Sequence, residues 1–490
     1  MQMSKETNKT MWFSPALSAI PDRSRVVFWE KALGYLIGPF GGLLASGIFT
    51  SNLQNYLTDV LQLPLGFLTV LQLVSTVLIV VANLLVGQVI EKTRTLAGKA
   101  RPWILLSALL IAVTGVLMFI VPFKSEGARM VWIAIGYNLY YSVAYPIYNT
   151  ANSTLIPLST RDSKARSELA SLSNIAGLGV MGAGSMIFPM LVSFMLKKNQ
   201  TLWFLVMLAI SLFSALTIYL QFRFTRERVT EETLGAQETE KKQTVSLKEQ
   251  LHAVTSDKYW WLVMVFYLFF QWAGAIKNGS MTYFCKWVLD NTFFGSADAW
   301  GASQSLLAVL GAIPMAVAVL FVVPLSNKFG KRMVTFVGLV IGAIGGVIAG
   351  LGNGEIVPVA IGVALKCLGS SPACYLILAM LADVIDHIEY RSGIRTDGLT
   401  MSIYSSLMVA ASPVMNAIFS AILNGSGYDQ NADVALGVAA QTATVKSAIT
   451  TSYIWVETIS YFICAAIILF WTVEKNLPKE QEEIRKRHQA

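Results

Sequence analysis

The stretch Val86–Trp103, VGQVIEKTRTLAGKARPW, decides how the chain is laid out. A long apolar run precedes it and another follows, so it reads as a short polar connection between two membrane spans. Between Glu91 and Arg101 it carries Lys92, Arg94, Lys99 and Arg101 against a single acid. Each basic residue at a bilayer centre costs about 2.5–3.5 kcal/mol on insertion scales, so the cluster is expected to stay on the cytoplasmic face. A shorter echo, LSNKFGKR at Leu325–Arg332, follows the eighth apolar run as this loop follows the second. Two related basic loops six spans apart imply two similar halves.

The 490 residues are 54% hydrophobic and only 13% charged, with a mean hydropathy of +0.57. Soluble domains carry about 25% charged residues, so the chain reads as an integral membrane protein. Its net charge of +8 lies in short loops and forms no aromatic-interleaved stripe, which argues against nucleic acid as a partner. The expected partners are the lipid bilayer and a small-molecule substrate, with one chain as the functional unit. Cys285, Cys367, Cys374 and Cys464 fall in or beside apolar runs with no CxxC, so neither a disulfide framework nor a metal site is expected. The first 25 residues lack a continuous apolar run, and the first span is expected to serve as the insertion signal.

Runs of about 20 apolar residues can cross a bilayer as helices. Twelve are expected, at 34–57, 64–90, 102–122, 130–152, 168–196, 201–222, 259–283, 301–326, 333–351, 356–382, 398–424 and 450–473. They divide the chain into a cytoplasmic N-terminal segment (1–33), a six-helix bundle (34–222), a polar linker (223–258), a second six-helix bundle (259–473) and a tail (474–490). With both termini inside, the tails and inner loops hold about 29 of the 37 Lys and Arg, which sets the orientation in the cell membrane. The fold class expected is all-α, and six plus six spans with a central linker resembles the major facilitator transporters.

Longer motifs sharpen that resemblance. GKARPWILL (Gly98–Leu106), YLTDVLQLP (Tyr56–Pro64), STRDSKARSELASLSN (Ser159–Asn174), KNGSMTYFCKWVL (Lys277–Leu289) and MLADVIDHIEYRSGIRTDGLTMS (Met380–Ser402) occur in the order found in the glycoside–pentoside–hexuronide:cation symporters, the melibiose permease family. The resemblance covers nearly the whole chain and implies alternating-access transport of a sugar, glycoside or uronide, with Na+ or H+ as coupling ion and no other cofactor. The family's charged positions are largely absent, however. Its two span-two acids fall on Ile79 and Asn83, its span-one acid on Leu43 and its span-four acid on Ala144. Its span-five arginine falls on Asn174 and its span-eleven lysine on Val409. Tyr148 stands where the family often has a tryptophan, and reads either as a platform for a sugar ring or as packing.

An ionisable residue inside a span is a functional candidate, because burying it without a partner is costly. Lys366, in IGVALKCLGSSP, lies near mid-span and reads as a free positive charge facing the cavity, with a structural ion pair as the alternative. Lys277 is placed near the outer surface as a snorkelling or gating residue, and Glu457 as its possible pair. Tyr148, Asn149, Asn174, Asn83, Gln271 and Cys374 join Lys366 as candidate substrate-binding residues, with interhelical bonding as the alternative for the amides. Lys92, Arg94, Arg101 and Arg166 against Asp383 and Asp386, with Arg395 and Lys277, read as gating residues that close by cross-half ion pairs, with membrane topology alone as the alternative for the basic loops. The glycines of GLGVMGAGS (Gly177–Ser185) and GLVIGAIGGVIAG (Gly338–Gly350) read as close-packing positions. No HExxH, GxSxG or phosphate-cradling GxxxxGK[ST] occurs, so an enzyme is not expected. The alternatives are a carrier of an organic anion held by Lys366 and, more remotely, a transporter-derived sensor or membrane enzyme.

Overall fold

The computed structural model describes residues 25–93, 95, 97–229, 247–296, 298–394 and 396–489. The chain falls into two compact units, Met1–Glu240 and Lys241–Ala490. In hydrocarbon every backbone amide must be satisfied within its own segment, and the apolar runs are accordingly helical. The first unit holds α1 (Glu30–Val60), α2 (Leu65–Lys92), α3 (Arg101–Leu117), α4 (residues 126–159), α5 (Lys164–Leu196) and α6 (Gln200–Phe224). The second holds α7 (Lys258–Trp287), α8 (Trp300–Phe329), α9 (Lys331–Leu351), α10 (Ile356–Ser392), α11 (Asp397–Ser426) and α12 (residues 443–469). Ten helices among the described residues are long and apolar enough to cross a membrane. Among the described residues, ten of the twelve expected spans coincide with such helices, and α3 and α4 do not qualify. α3 has only 17 residues, and α4 carries Tyr137, Tyr140, Tyr141, Tyr145 and Tyr148 in place of aliphatic side chains.

Both units repeat one device at the start of their third helix. Gly98 adopts φ +109° and Gly330 φ +86°, a left-handed backbone that glycine alone takes cheaply. Each turn aims amides at a carboxylate from the far end of its own unit. Glu227, just past α6, accepts from the backbone N–H of Lys99, Ala100 and Arg101, each at 2.8 Å. Glu474, just past α12, accepts from Lys331 N–H at 2.8 Å and Arg332 N–H at 3.3 Å. A carboxylate on the first amides of a helix satisfies orphan donors and opposes the helix dipole. A side chain at either glycine would strike the clamping glutamate. The two basic loops thus resemble each other because each is the seat of a clamp.

The glycine stripes pack as expected. On α9, a Cβ at Gly345 would lie 2.7 Å from the carbonyl oxygen of Gly362 and 2.8 Å from Lys366 N, so α9 and α10 meet backbone to backbone. Gly342 and Gly346 receive Tyr461 and Thr458 of α12. In the first unit Gly184 of α5 lies against Gly47 of α1, where Asn52 donates to the Gly184 carbonyl at 3.0 Å.

α10 corrects an expected boundary. At 37 residues it is about 55 Å long, well beyond a hydrocarbon core of about 30 Å. Asp383, Asp386 and Glu389 therefore lie on a continuing helix, which ends only where Gly393 turns left-handed at φ +71°. The helix continues because its acids are held. Lys331 pairs with Asp383 at 2.6 Å and Gln481 donates to Asp386 at 2.8 Å.

Candidate functional site

Three helices of the second unit bring charge together within the span region. Lys277 lies about ten residues before the end of α7, Lys366 about ten after the start of α10, and Glu457 on α12, two residues past a π-helical segment, Thr451–Trp455. The end of α7 and the start of α10 share one face of the unit, since Asp290 N–H donates to the Gly354 carbonyl at 2.9 Å. Both lysines are therefore about 15 Å below that face at 1.5 Å per residue. Glu457 bridges them, with Oε2 at 2.6 Å from Lys366 Nζ and Oε1 at 3.3 Å from Lys277 Nζ. Lys366 Nζ also donates to the Ile454 carbonyl, within the π-helical segment, at 3.5 Å. The Lys366 and Glu457 side chains are each 4% exposed, whereas Lys277 is 25% exposed. Cys367, Cys374 and Tyr461 lie close to this cluster.

This arrangement overturns two expectations. Lys366 is not a free charge facing a cavity, because Glu457 reaches the same depth from α12 and closes on it. Lys277 is not near the outer surface: α7 runs on to Trp287, past the expected end at 283, which leaves it two to three turns deep. Its expected pairing with Glu457 is observed.

Tyr148 is likewise no open platform. It is fully buried, donates to Gln221 Oε1 at 2.8 Å and reaches the Gly38 carbonyl at 3.1 Å. Gln221 Nε2 in turn donates to Asn152 Oδ1 at 2.7 Å, so α1, α4 and α6 are joined by one polar chain. Gly42 accepts the tyrosine ring in a space that a Cβ would fill. Tyr148→Phe is expected to lower stability by about 1–2 kcal/mol, by leaving the Gln221 oxygen short of a donor, and to leave solute affinity unchanged. Thermal unfolding with and without ligand checks both.

The remaining candidates are dispersed. Asn83 is half-buried and donates to the Ile79 carbonyl of its own helix at 2.8 Å, while Ile79 and Ala144 are buried. Asn149, Gln271 and Cys374 are half-buried and Asn174 is exposed. Among the gating candidates, Lys92 and Arg166 are exposed, and Arg94 and Arg395 lie outside the described residues. Arg101 is fully buried, its guanidinium bonded to the Phe222 carbonyl at 2.8 Å and stacked over the Phe222 ring. It acts as an internal brace of its own unit instead of the surface gate expected. Asp383 is engaged within its unit by Lys331 in place of a cross-half partner. Asp257, which caps α7, meets Arg391 at 3.3 Å, a tie between α7 and α10 that the sequence reading missed.

The family described as MFS/sugar transport protein matches residues 34–475. The chain belongs to that family. Two relatives are similar to this chain over most of their length. The isoprimeverose transporter of Lactiplantibacillus pentosus is 26% identical over 94% of this chain and 92% of its own. The glucuronide carrier protein homolog of Escherichia coli (strain K12) is 22% identical over 90% of this chain and 92% of its own. Two solved structures share the fold at low identity. The nucleoside transporter NupG has a TM-score of 0.61 at 13% identity, covering 90% of this chain and 99% of that one. The D-xylose-proton symporter has a TM-score of 0.60 at 16% identity, covering 91% and 98%. The MFS/sugar transport family is one of multi-pass membrane carriers for small molecules, which places this chain with transporters and not with enzymes.

Proposed function

We propose that the protein is a secondary transporter of the cell membrane that moves a sugar, glycoside or uronide by alternating access, and that it does so without sodium at the positions the family uses for it. The observation carrying the second part is the chemistry of those positions. Ile79 is an alkyl chain, Asn83 offers one uncharged amide oxygen while its Nδ2 donates to its own helix, and Ala144 has no ligating atom. A hard cation needs oxygen ligands, and these three side chains supply no carboxylate and a single neutral oxygen.

The substrate class is supported by the family match and by relatives named for isoprimeverose and glucuronide. The organic-anion alternative built on Lys366 loses its basis, because that lysine is already neutralised. One chain is proposed as the functional unit, with both termini cytoplasmic, residues 223–258 as linker and no nucleic-acid partner. Thermal unfolding of the purified protein with a panel of neutral glycosides, uronides and small organic acids tests the substrate class. A ligand at a hundred times its Kd adds about 2.7 kcal/mol. Stabilisation by sugar compounds is expected, and stabilisation by non-sugar acids alone would contradict the reading.

A further inference from the structure

The ion cluster of the second unit does not balance. Glu457 brings one negative charge to two lysines, so the group carries a formal +1 at mid-span. Lys366 has spent its share: it is buried, 2.6 Å from one carboxylate oxygen, and turned onto the Ile454 carbonyl. The excess therefore resides on Lys277, which is a quarter exposed and meets the other oxygen only at 3.3 Å. An ammonium has three donors. A lysine side chain that is a quarter exposed at this depth fits an aqueous space better than lipid tails, where a charge costs about 2.5–3.5 kcal/mol on insertion scales. Half-buried Cys374 and Gln271 lie along the same two helices, on α10 and α7.

Resting on the sugar reading above and narrowing it, we propose that Lys277 is the carboxylate-binding group of the solute site, so that the protein selects a monoanionic sugar acid or uronide over the neutral glycoside. Glu457 is a positioning residue. It holds Lys277 at the edge of the cluster while neutralising Lys366, and the single uncompensated charge matches one carboxylate. A dianion would overfill the site and a cation would be repelled. A charge-assisted hydrogen bond from the Lys277 ammonium to the carboxylate adds affinity that a hydroxymethyl group cannot match.

The test uses the detergent-purified full chain and two probes that differ only at C6, p-nitrophenyl β-glucuronide and p-nitrophenyl β-glucoside, with Kd read from ligand-dependent melting. The wild type is expected to bind the glucuronide at least about tenfold more tightly. Lys277→Met should bring the ratio near one by weakening the glucuronide alone. That variant keeps the Lys366–Glu457 pair, so it should fold. Lys277→Arg should retain the preference. Equal or tighter binding of the glucoside by the wild type overturns the proposal, as does an unchanged ratio in Lys277→Met. Binding of both probes with equal strength would remove only the carboxylate site and leave the sugar reading standing. A protein that neither probe stabilises, and that binds only non-sugar acids from the wider panel, would overturn both.

Discussion

Glu457→Gln should be the most damaging of the single substitutions considered, lowering stability by about 3–5 kcal/mol. The glutamate is the only acid among the described residues to pair with either lysine, and it is buried with Lys366 at 2.6 Å. Removing its charge leaves two ammonium groups facing each other at low dielectric, which costs far more than the pair itself contributes. Lys366→Met should cost much less, because Lys277 and Glu457 remain as a neutral pair. The double change Lys366→Met, Glu457→Leu should fall closer to wild type than Glu457→Gln does, since apolar replacement of a buried pair is often near neutral. Thermal unfolding of the full chain in detergent gives this order directly, with Glu457→Gln melting on the order of 10 °C lower. A Glu457→Gln protein as stable as wild type would mean that the three side chains do not meet.

Glu227→Gln carries the second large expectation, a loss of about 3 kcal/mol. Hydrogen bonds to a charged acceptor contribute about 1.5–3 kcal/mol each, and here three amides share one buried carboxylate. Glutamine keeps one acceptor oxygen and loses the charge that opposes the α3 dipole. The matching Glu474→Gln should cost less, since that clamp holds two amides, one of them at 3.3 Å. Limited proteolysis at the loop between α2 and α3 should report the first change and not the second. Equal sensitivity of both variants at that loop would show that the clamp is not what holds it.

The architecture was legible because hydrocarbon imposes a simple rule on long apolar runs, and Lys and Arg mark the loops between them. The repeat was visible in the two basic loops, although its cause was not. That cause lies in Glu227 and Glu474, more than a hundred residues from the amides they bind. The site was half legible. Lys277, Lys366 and Glu457 each stood out as ionisable residues in apolar runs, but depth along a helix depends on where the helix ends. Placing the end of α7 four residues short of Trp287 put Lys277 at the surface and hid the cluster. Tyr148 was open to two readings because its partner, Gln221, is 73 residues away and looks like an ordinary residue at a span end. Asp383 reads from sequence as a cross-half partner because charge counting cannot distinguish Lys331 from the basic residues of the first unit.

Sugar transport that does not need the family's sodium site can be read by counterflow in proteoliposomes. Vesicles of purified protein loaded with unlabelled glycoside or uronide would be diluted into labelled solute, in sodium buffer and in sodium-free buffer. Transient accumulation of a sugar-class solute at the same rate in both buffers is expected. Accumulation that appears only with sodium, or none for any sugar-class solute, would contradict it.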